Sequence, residues 1–476
     1  MGCGVSFTLR LFWEAAGGNV PEHWEFKTID ELLEHPKAIS VGVMYPGSDT
    51  DGGVPLIKVS DVKNGAIASR PSFCISNKVD EEYKRTRLNG SELLLTLVGN
   101  PGDCVIVTDE MCGWNVARAL AVIRLKDTQL RSWIRYVLAS KPAQHLIEAR
   151  LNTTVQKTLN LKDVREIGIP IPPREERDSI TKIIDSIEKK TLLNTQINQT
   201  LESIAQAIFK SWFIDFDPVR AKMAAKQEGQ DPELAAMCTI SGKSEEELQQ
   251  MADDDFAELQ ATAALFPDEL VESELGEVPN GWEVGKLQEV IDLNPRRTLK
   301  KDSLAPYLDM KNVRTQGHLV DEVILRNMTS GTKFINGDTL LARITPCLEN
   351  GKTAYVDFLL DNEVGWGSTE FIVLRPKEHL PTALGYFIAR QENFRTLAIQ
   401  SMTGTSGRQR ANADTLANQS WLIYPADLMI VFDKYAGKYL THIKNNGLQN
   451  GILKNIRDAL LPKLLSGELD ATLLKK

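Results

Sequence analysis

Apolar residues follow two different spacings along the chain, and stretches with each spacing alternate. Short runs in which apolar positions alternate with others, such as Leu93, Leu95 and Leu97, are separated by Gly, Pro and Asn. This spacing predicts short strands joined by hairpins. From Ile180 onward, apolar residues instead recur every seven residues, which predicts a long helix with a seam for a partner helix. The chain is therefore predicted to consist of strand-rich bodies followed by long helices.

The heptad seam occurs twice, 252 residues apart. In the first copy the leading positions and their companions three residues later are Ile180, Ile187, Asn194, Leu201 and Ile208, with Ile183, Lys190, Ile197 and Ile204. In the second copy they are Phe432, Tyr439, Asn446, Leu453 and Leu460, with Tyr435, His442, Gln449 and Ile456. We expect an antiparallel coiled coil that pairs Asn194, Leu201, Ile204 and Ile208 with Asn446, Leu453, Ile456 and Leu460.

Asn194 and Asn446 occupy the same leading position in the two copies of the seam. A buried Asn in a coiled-coil seam fixes the register of the helices at a cost in stability, and two Asn side chains can satisfy each other. The alternative is that either side chain simply faces solvent. We favour the buried, mutually paired arrangement.

The helices belong to a longer internal duplication. Five segments recur in the same order at offsets of 247 to 258 residues: VPEHWE and VPNGWE, PLIKVSDVKNG and PYLDMKNVRTQG, NGSELLLTLVGN and NGDTLLARITPC, IPIPP and LIYPA, TLESIAQAIFKSWF and ILKNIRDALLPKLL. Recurrence in one order at a nearly constant offset indicates a tandem repeat. Trp24 and Trp282, near the start of the two copies, are predicted to anchor their cores.

The repeat divides the chain into six segments. They are an N-terminal extension (1–20), a first body (21–173), a first helix (174–223), an acidic connector (224–277), a second body (278–425) and a second helix (426–476). The predicted fold class is α+β, with two α/β bodies in tandem that are separated by long paired helices and related by a pseudo-twofold repeat.

The net charge of −9 is concentrated in the connector. Residues 228–277 hold 15 Asp or Glu and one Lys, so this stretch carries −14 and the rest of the chain carries +5. A capping box from Ser244 to Glu247 predicts that the connector is partly helical. Its role is either that of a solvated spacer, which we favour, or that of a surface that repels DNA or docks a partner. Two mildly basic bodies are compatible with nucleic-acid binding.

Other features argue against several classes of protein. The six cysteines are scattered without a CxxC pair, which is typical of free thiols in a reducing compartment. No stretch approaches the roughly 18 apolar residues of a membrane span. The six histidines form no metal-binding motif, and Gly351-Lys352-Thr353 lacks the leading Gly of a phosphate-binding loop. We therefore expect a cytoplasmic protein with no catalytic centre, metal or cofactor of its own.

A recognition body at each end of a helix pair suggests a protein that reads DNA at two places. A helix over residues 174–212 would be about 58 Å long at 1.5 Å per residue. Bodies at its ends could straddle two half-sites about one DNA turn, roughly 34 Å, apart. Because the two copies differ in detail, we expect two half-sites of different sequence around a spacer that is not read.

The segments around the helices resemble those of type I restriction-modification specificity subunits. The similar stretches are IPIPPREERDSI (169–180), SIAQAIFKSWFIDFDPVRAKM (203–223), LFPDELVESELGEVPNGWEV (265–284) and ALLPKLLSGELD (459–470). The resemblance covers nearly the whole chain from about Val20. The chain departs from the family pattern at Glu176, where Gln is usual, and in the degenerate second copy of that motif around Pro425.

This resemblance implies that each body is a target-recognition domain for one half of a bipartite, asymmetric double-stranded DNA site. It also implies binding of two methyltransferase subunits and of restriction subunits. S-adenosylmethionine, ATP and Mg²⁺ would act in those partners, which methylate adenine and cleave DNA. The aromatic residues Trp212, Phe213 and Phe216 are then either core between the helices or a docking surface for a methyltransferase subunit.

Two other classes of function stay open from the residues alone. One is an enzyme with unfamiliar motifs, although the missing cofactor loops count against it. The other is a pseudo-symmetric scaffold that binds only proteins. Salt-insensitive or absent DNA association would favour the scaffold, because phosphate contacts weaken steeply with salt.

Candidate DNA contacts lie mainly on polar loops that recur in both bodies. A helix is predicted near the end of the first body, at about Arg131–Arg150, and in the loop after it residues 152–157 match residues 405–410 of the second body. Lys and Arg suit phosphates, while Arg, Asn, Gln, Ser and Thr suit base edges. The predicted DNA-binding set is Lys84, Arg85, Arg87, Asn115, Arg118, Thr153, Thr154, Gln156, Lys157, Arg296, Arg297, Arg343, Ser368, Ser406, Arg408, Gln409 and Arg410. The alternative for each is an ordinary turn or a solvated charged face.

Overall fold

The computed structural model describes residues 2–63, 65–67, 69–151, 157–405 and 408–471. The chain divides into two compact units. Unit 1 comprises Met1–Lys190 and Ile452–Lys476, and unit 2 comprises Thr191–Gly451. The division falls inside both long helices, so each unit contains part of each.

The elements of unit 1 are short, apart from its last helix. The helices are α1 (Gly2–Ala15), α2 (Ile29–Leu32), α3 (Asn77–Glu82), α4 (Arg131–Ala139), α5 (Lys141–Glu148), α6 (Leu161–Arg165) and α7 (Arg174–Phe213). The strands are β1 (Glu25–Thr28), β2 (Ile39–Val41), β3 (Val54–Ile57), β4 (Val62–Lys63), β5 (Ala66–Ile67), β6 (Cys74–Ile75), β7 (Leu93–Thr96), β8 (Cys104–Ile106), β9 (Asn115–Val116), β10 (Leu120–Ile123) and β11 (Gly168–Ile171). Single 3₁₀ turns cover Val59–Asp61, Lys84–Thr86, Asp109–Met111 and Thr128–Leu130.

The main sheet of unit 1 is antiparallel, in the order β2-β10-β7-β8. A second sheet has the order β6-β3-β9, in which β3 and β9 are parallel, and β1 pairs with β11. Alternate residues of β10 face different cores. Ala121 and Ile123 lie in the core that contains α4, whereas Leu120 and Val122 lie in a second core with Ile57 of β3. Burial on both faces explains why β7 is a continuous apolar run and does not alternate.

Unit 2 contains the connector, the second body and parts of the long helices. Its further helices are α8 (Asp217–Glu228), α9 (Pro232–Ser241), α10 (Glu245–Gln249), α11 (Asp253–Ala264), α12 (Leu287–Val290), α13 (Leu384–Arg390), α14 (Glu392–Gln400), α15 (Ala413–Ala417) and α16 (Ala426–Leu465), with a 3₁₀ turn at Met310–Asn312. The strands are β12 (Leu270–Ser273), β13 (Gly276–Pro279), β14 (Glu283–Lys286), β15 (Ile291–Leu293), β16 (Leu304–Leu308), β17 (Ile324–Asn327), β18 (Thr332–Phe334), β19 (Thr339–Ala342), β20 (Thr353–Tyr355), β21 (Gly365–Gly367), β22 (Phe371–Pro376) and β23 (Ser420–Ile423).

The topology of unit 2 repeats that of unit 1. Its main sheet has the order β15-β22-β19-β20, and its second sheet has the order β17-β16-β21-β18, again with one parallel pair, β16 and β21. The pair β14 and β23 corresponds to β1 and β11. In the parallel pairs, Leu56 lies opposite Asn115 and Tyr307 lies opposite Trp366. The duplication predicted from the sequence is therefore present in the order and direction of the strands, and the predicted α+β class is confirmed.

The N-terminal extension contributes α1 to the fold of unit 1. Trp13 is buried and packs edge-on against Phe26, with 6.2 Å between the ring centroids. The Arg10 guanidinium donates to the carbonyls of Val20 at 3.2 Å and Trp24 at 2.8 Å. It thereby satisfies backbone acceptors in the turn that leads to β1, where Trp24 is buried as the sequence predicts.

The connector folds into helices, as its capping box predicts. Helices α9, α10 and α11 surround a small apolar core that includes Ala236, Met237, Leu248, Leu259 and Ala263. Lys222 of α8 is 2% exposed, and its ammonium donates to Glu233 at 2.6 Å and to the carbonyl of Phe266 at 2.8 Å. The acidic segment is therefore anchored to α8 by one buried cation.

The aromatic residues at the end of α7 lie in the core of unit 2. Trp212, Phe213 and Phe216 are at most 7% exposed. Phe213 lies 5.5 Å from Phe432 of α16 and 6.2 Å from Trp282, measured between ring centroids. The structure thus favours the core interpretation over a docking surface, and it confirms Trp282 as a core residue.

Burial along α7 and α16 agrees with the leading heptad positions and corrects their companions. Leu201, Ile208, Leu453 and Leu460 are half-buried, as expected of seam residues. Ile204 and Ile456, however, are 40% and 43% exposed, so their predicted role in helix pairing is wrong. The companion positions lie four residues after the leading ones, not three, and the residues there include the buried Ile184, Ala205, Ala436 and Ile443.

Asn194 and Asn446 have different partners from the predicted ones. The side-chain amide of Asn194, which is fully buried, donates to Asn450 at 2.9 Å and to Gln449 at 2.8 Å. Asn446 donates to Asn198 at 2.9 Å. Because Asn198 and Asn450 are themselves equivalent positions of the repeat, the two Asn–Asn hydrogen bonds follow the pseudo-twofold relation. The pairing order also makes the two helices antiparallel within unit 2, as predicted.

The corrected seam predicts a large loss of stability for one substitution in α7 and a small one for another. Phe209→Ala removes a fully buried ring that packs against Phe387 and Phe432, so the free energy of unfolding of unit 2 should fall by about 3–5 kcal/mol. Ile204→Ala, on the exposed side, should change it by less than about 1 kcal/mol. Urea unfolding followed by tryptophan fluorescence measures both. A larger loss of unfolding free energy for Ile204→Ala would instead support companion positions three residues after the leading ones.

Burial also predicts which thiols react. Desolvation raises the pKa of Cys104 to about 12, whereas Cys112 is exposed. The reactive thiolate form of Cys104 is therefore very scarce at pH 8. Mass spectrometry after maleimide treatment of the native protein should find Cys112 labelled and Cys104 unlabelled until the protein is denatured. Rapid native labelling of Cys104 would contradict its placement in β8.

Candidate nucleic-acid interface

In unit 1, three separate segments meet at the end of strand β7. The backbone of Leu97 donates to the carbonyl of Ala119 at 2.8 Å, and its own carbonyl accepts from Leu159 at 2.8 Å. Val98 and Thr158 form an isolated antiparallel bridge. The end of β7, the segment before β10 and the loop after α5 are therefore held together by main-chain hydrogen bonds. We call this meeting point the junction of unit 1.

Unit 2 builds the same junction at the end of β19. The backbone of Arg343 donates to the carbonyl of Glu370 at 2.9 Å, and its carbonyl accepts from Ala411 at 2.8 Å. Ile344 and Arg410 form the bridge that corresponds to Val98 and Thr158. The structural equivalent of Arg410 is thus Thr158, one residue beyond the Lys157 that the sequence match predicts.

Several of the predicted DNA-binding residues lie at the junction of unit 2. Arg343, Ser368, Arg408, Gln409 and Arg410 lie on its three segments. Arg408 is exposed, and Ser368 accepts a hydrogen bond from the backbone of Glu370 at 3.2 Å.

An ion pair lies at the centre of this junction. The Nε of Arg410 donates to both carboxylate oxygens of Glu370, at 3.0 and 2.9 Å, and its Nη2 donates to Oε1 at 2.6 Å. The hydrogen bond from Arg410 and the charges of Arg410 and Arg343 lower the pKa of Glu370. Nearby, the Nε of Arg343 and the Oγ1 of Thr345 are buried and have no hydrogen-bond partner among the described residues. The junction therefore contains polar groups that the described residues of the unit do not satisfy.

The corresponding loop of unit 1 is only partly described. Thr153, Thr154 and Gln156 lie outside the described residues, as does Ser406 in unit 2, so their predicted roles stay predictions. Lys157 is exposed beside the bridge at Thr158. Arg118, one residue before Ala119, is exposed as well and contacts the sulfur of Met44 at 3.8 Å. Lys157 and Arg118 are therefore the accessible cations of the unit 1 junction.

Two residues predicted to contact DNA in unit 1 make hydrogen bonds and ion pairs within the unit. Asn115 is fully buried, donates to Asp80 at 2.9 Å and accepts from Thr86 at 2.8 Å. Arg87 forms an ion pair with the same buried carboxylate of Asp80. Both side chains hold α3 and the following 3₁₀ turn against β9. Lys84 and Arg85, on that turn, are exposed, and Lys84 pairs with Glu81 at 3.2 Å.

The two arginines after β15, Arg296 and Arg297, also differ in their accessibility. Arg297 pairs with the fully buried Asp338 at 3.0 Å, so its side chain is held within the unit, and its predicted DNA contact stays a prediction. Arg296 is exposed. The structure therefore leaves Arg296, and not Arg297, as the accessible cation of this pair.

Sequence reasoning missed two features. One is Glu370, because its partner Arg410 lies 40 residues away. The other is a stack on the edge of the second sheet, in which Arg326 lies 4.9 Å above the ring of Tyr307 and 5.8 Å from Trp366. All four residues of β17, including Arg326, are exposed. A basic residue on an exposed edge strand is the signal that could have indicated it.

Within the described ranges, no group of three or more His, Cys, Asp or Glu side chains could hold a metal ion. None of the helices in those ranges combines the length and apolarity needed to span a bilayer.

Comparison with known proteins identifies the class. A family model described as the type I restriction modification DNA specificity domain matches residues 21–203 and 279–456. The specificity subunit of the HindI type I restriction enzyme of Haemophilus influenzae is 30% identical over 339 residues, which cover 68% of this chain and 73% of that protein. The MjaIX specificity subunit of Methanocaldococcus jannaschii is 22% identical over 97% of this chain and 98% of its own length.

A solved structure is also similar. The type I restriction-modification S subunit of M. genitalium has 13% sequence identity and a TM-score of 0.49, over 93% of this chain and 96% of that one.

The two matched stretches coincide with the two copies of the repeat, which defines a duplicated DNA-specificity protein. The chain belongs to the type I restriction-modification DNA specificity family. It is a DNA-recognition subunit of a type I restriction-modification complex and is itself non-catalytic. The resemblance noted in the sequence is therefore confirmed, and the enzyme alternative is wrong.

The division between structural and accessible residues can be tested in unit 1. Asn115→Ala removes hydrogen bonds to a buried carboxylate and hydroxyl, so the free energy of unfolding of unit 1 should fall by about 1–3 kcal/mol. Arg118→Ala should change it by no more than about 0.5 kcal/mol. Denaturant titrations of the purified variants provide the comparison. Equal stability of the two variants would mean that the Asn115 network does not hold unit 1 together.

Proposed function

We propose that the chain reads a bipartite, asymmetric double-stranded DNA site, with one half-site for each unit. The observation that carries this proposal is the repeated junction. Two units share strand order and main-chain hydrogen bonds, yet the side chains at the junction differ, as between Ala119 and Glu370. Equal scaffolds with different polar groups suit two different half-sites, because base edges are distinguished by their hydrogen-bonding patterns.

The target-recognition domains of this proposal are residues 21–173 and 278–425, and the spacer helices are residues 174–223 and 426–476. Exposed cations supply phosphate contacts, which position a protein on DNA without reading its sequence. Candidates are Lys84, Arg85, Arg118 and Lys157 in unit 1 and Arg296 and Arg408 in unit 2. Arg343, Ser368, Gln409 and Arg410 are the candidates for base contacts.

The complex is proposed to contain two methyltransferase subunits and restriction subunits. The long helices offer surface for protein partners, since Leu192, Leu193 and Ile204 of α7 and Leu448, Ile452 and Ile456 of α16 are exposed. Exposed apolar side chains of this size mark interaction surfaces when they cluster. S-adenosylmethionine, ATP and Mg²⁺ act in the partners, and adenine methylation is the readout of recognition. A chromosomal substrate gives the complex a cytoplasmic location.

The decisive experiment is to co-express this chain with the methyltransferase subunit from the same system and to map methylated adenines by single-molecule sequencing. Two short specific blocks around a fixed unread gap are expected. A second strain, in which residues 21–172 are exchanged for those of a relative, should change one block only. A folded complex that binds DNA without sequence preference, or an exchange that changes both blocks, would overturn the proposal.

Phosphate contacts predict a definite salt dependence. Removing one phosphate contact by Arg408→Ala should reduce the slope of log K against log salt by about 0.9 and weaken binding to all sequences alike. Lys226→Ala is the matched control, because Lys226 is exposed in the acidic connector and pairs with Asp268. Fluorescence anisotropy of the methyltransferase complex over a salt series measures both slopes. An unchanged slope for Arg408→Ala would remove Arg408 from the interface.

A further inference from the structure

The two junctions keep the same main-chain hydrogen bonds, although charged side chains stand in unit 2 at three positions where unit 1 has none. Where unit 2 has Arg343, Glu370 and Arg410, unit 1 has Leu97, Ala119 and Thr158. Unit 1 therefore builds the junction with no arginine and no carboxylate at these positions. It follows that folding of the junction does not require the ion pair of unit 2.

The Glu370–Arg410 pair also leaves part of the guanidinium available. Glu370 accepts from Nε and Nη2, whereas Nη1 has no acceptor among the described residues. The side chain of Arg410 is 43% exposed, and that of Glu370 is 22% exposed. A guanidinium has five N–H donors in a fixed plane, so the carboxylate fixes one edge and the opposite edge stays free.

The groups around the pair favour a polar ligand. The buried Nε of Arg343 and Oγ1 of Thr345 have no partner in the part of the chain that the structure describes. Polar groups that stay buried without partners are costly, and a ligand with acceptor and donor groups would offset that cost. The cost is absent from unit 1, where Leu97 and Gly99 occupy the equivalent positions.

We propose that Arg410 recognises a guanine in the half-site read by unit 2, and that Glu370 is its positioning residue. This inference rests on the proposed function. A planar pair of N–H donors matches the O6 and N7 acceptors of guanine in the major groove, which is the commonest specific contact between protein and DNA. Glu370 holds the guanidinium plane in one orientation before DNA binds. Unit 1 lacks the pair, so its half-site is read without such an arginine.

The test uses the complex with the methyltransferase subunit and the site found for the wild-type chain. The half-site of unit 2 is the block that stays unchanged when residues 21–172 are exchanged. Arg410→Ala should lower discrimination at one guanine of this block by about 5- to 150-fold, the range expected for one bidentate contact, and leave the other block unchanged. Arg410→Lys should do the same while keeping the charge, because an ammonium lacks the planar fork.

The role of Glu370 is tested by one variant that removes its charge and one that shortens its side chain. Glu370→Gln should relax discrimination at the same guanine, whereas Glu370→Asp should keep part of it. Thermal unfolding of each variant should stay close to the wild type, as the junction of unit 1 folds without the pair. Asp321→Asn is the matched control, because it breaks another ion pair of unit 2, with Arg314 at 2.7 Å, and should leave the motif unchanged.

A chemical probe gives an independent readout. A duplex with 7-deazaguanine at the identified position lacks the N7 acceptor, so wild-type binding should weaken while Arg410→Ala binding should not weaken further. Three results would overturn the proposal: an unchanged motif in Arg410→Ala, a uniform loss of methylation at every sequence, or equal sensitivity of the wild type and Arg410→Ala to 7-deazaguanine. A wild-type complex without any bipartite motif would instead overturn the proposed function, and this inference with it.

Discussion

The asparagine layer between α7 and α16 is the constraint on which the helix pairing in unit 2 depends. An apolar seam alone resists sliding weakly, because shifting one helix by a heptad brings apolar residues against apolar residues again. The layer removes that freedom: Asn194 is fully buried and bonds to Asn450, and Asn446 bonds to Asn198. In another register the buried side-chain N–H groups of Asn194 would lose these acceptors, at about 1–3 kcal/mol. The aromatic packing of Phe209 and Phe432 is therefore held in one alignment.

Much of the architecture could be predicted from the sequence, because it depends on local spacing and on repetition. The duplication, the strand-rich bodies, the long helices and their leading seam positions all follow from such patterns. The companion positions could not be predicted in the same way, because a heptad allows spacings of three and four. Ile204 looked apolar enough for the seam, yet the true companions include polar residues such as Asn198, and only the partner helix distinguishes them.

The candidate site was predictable in its location and less so in its chemistry. One of the three segments of the junction could be found, because residues 152–157 recur as residues 405–410. Asn115 was misjudged because its partner Asp80 lies 35 residues away, and a polar side chain beside Trp114 looks accessible in the sequence. The pairing of Arg297 was missed for the same reason, as Asp338 is 41 residues distant. Long-range pairing decides which polar side chains are held inside a unit, and a single sequence does not record it.

The shared junction separates what keeps the chain folded from what can vary. Its main-chain hydrogen bonds depend on no particular side chain, since leucine and arginine, or alanine and glutamate, occupy equivalent positions in the two units. The main-chain hydrogen bonds themselves therefore do not restrict which side chains stand at these positions. If each unit reads its own half-site, as proposed, a few replacements in one unit can change the DNA sequence that this unit prefers while the other unit keeps its own. Under that proposal the shared main-chain framework lets the two halves of the target diverge separately during evolution, each through positions of one unit.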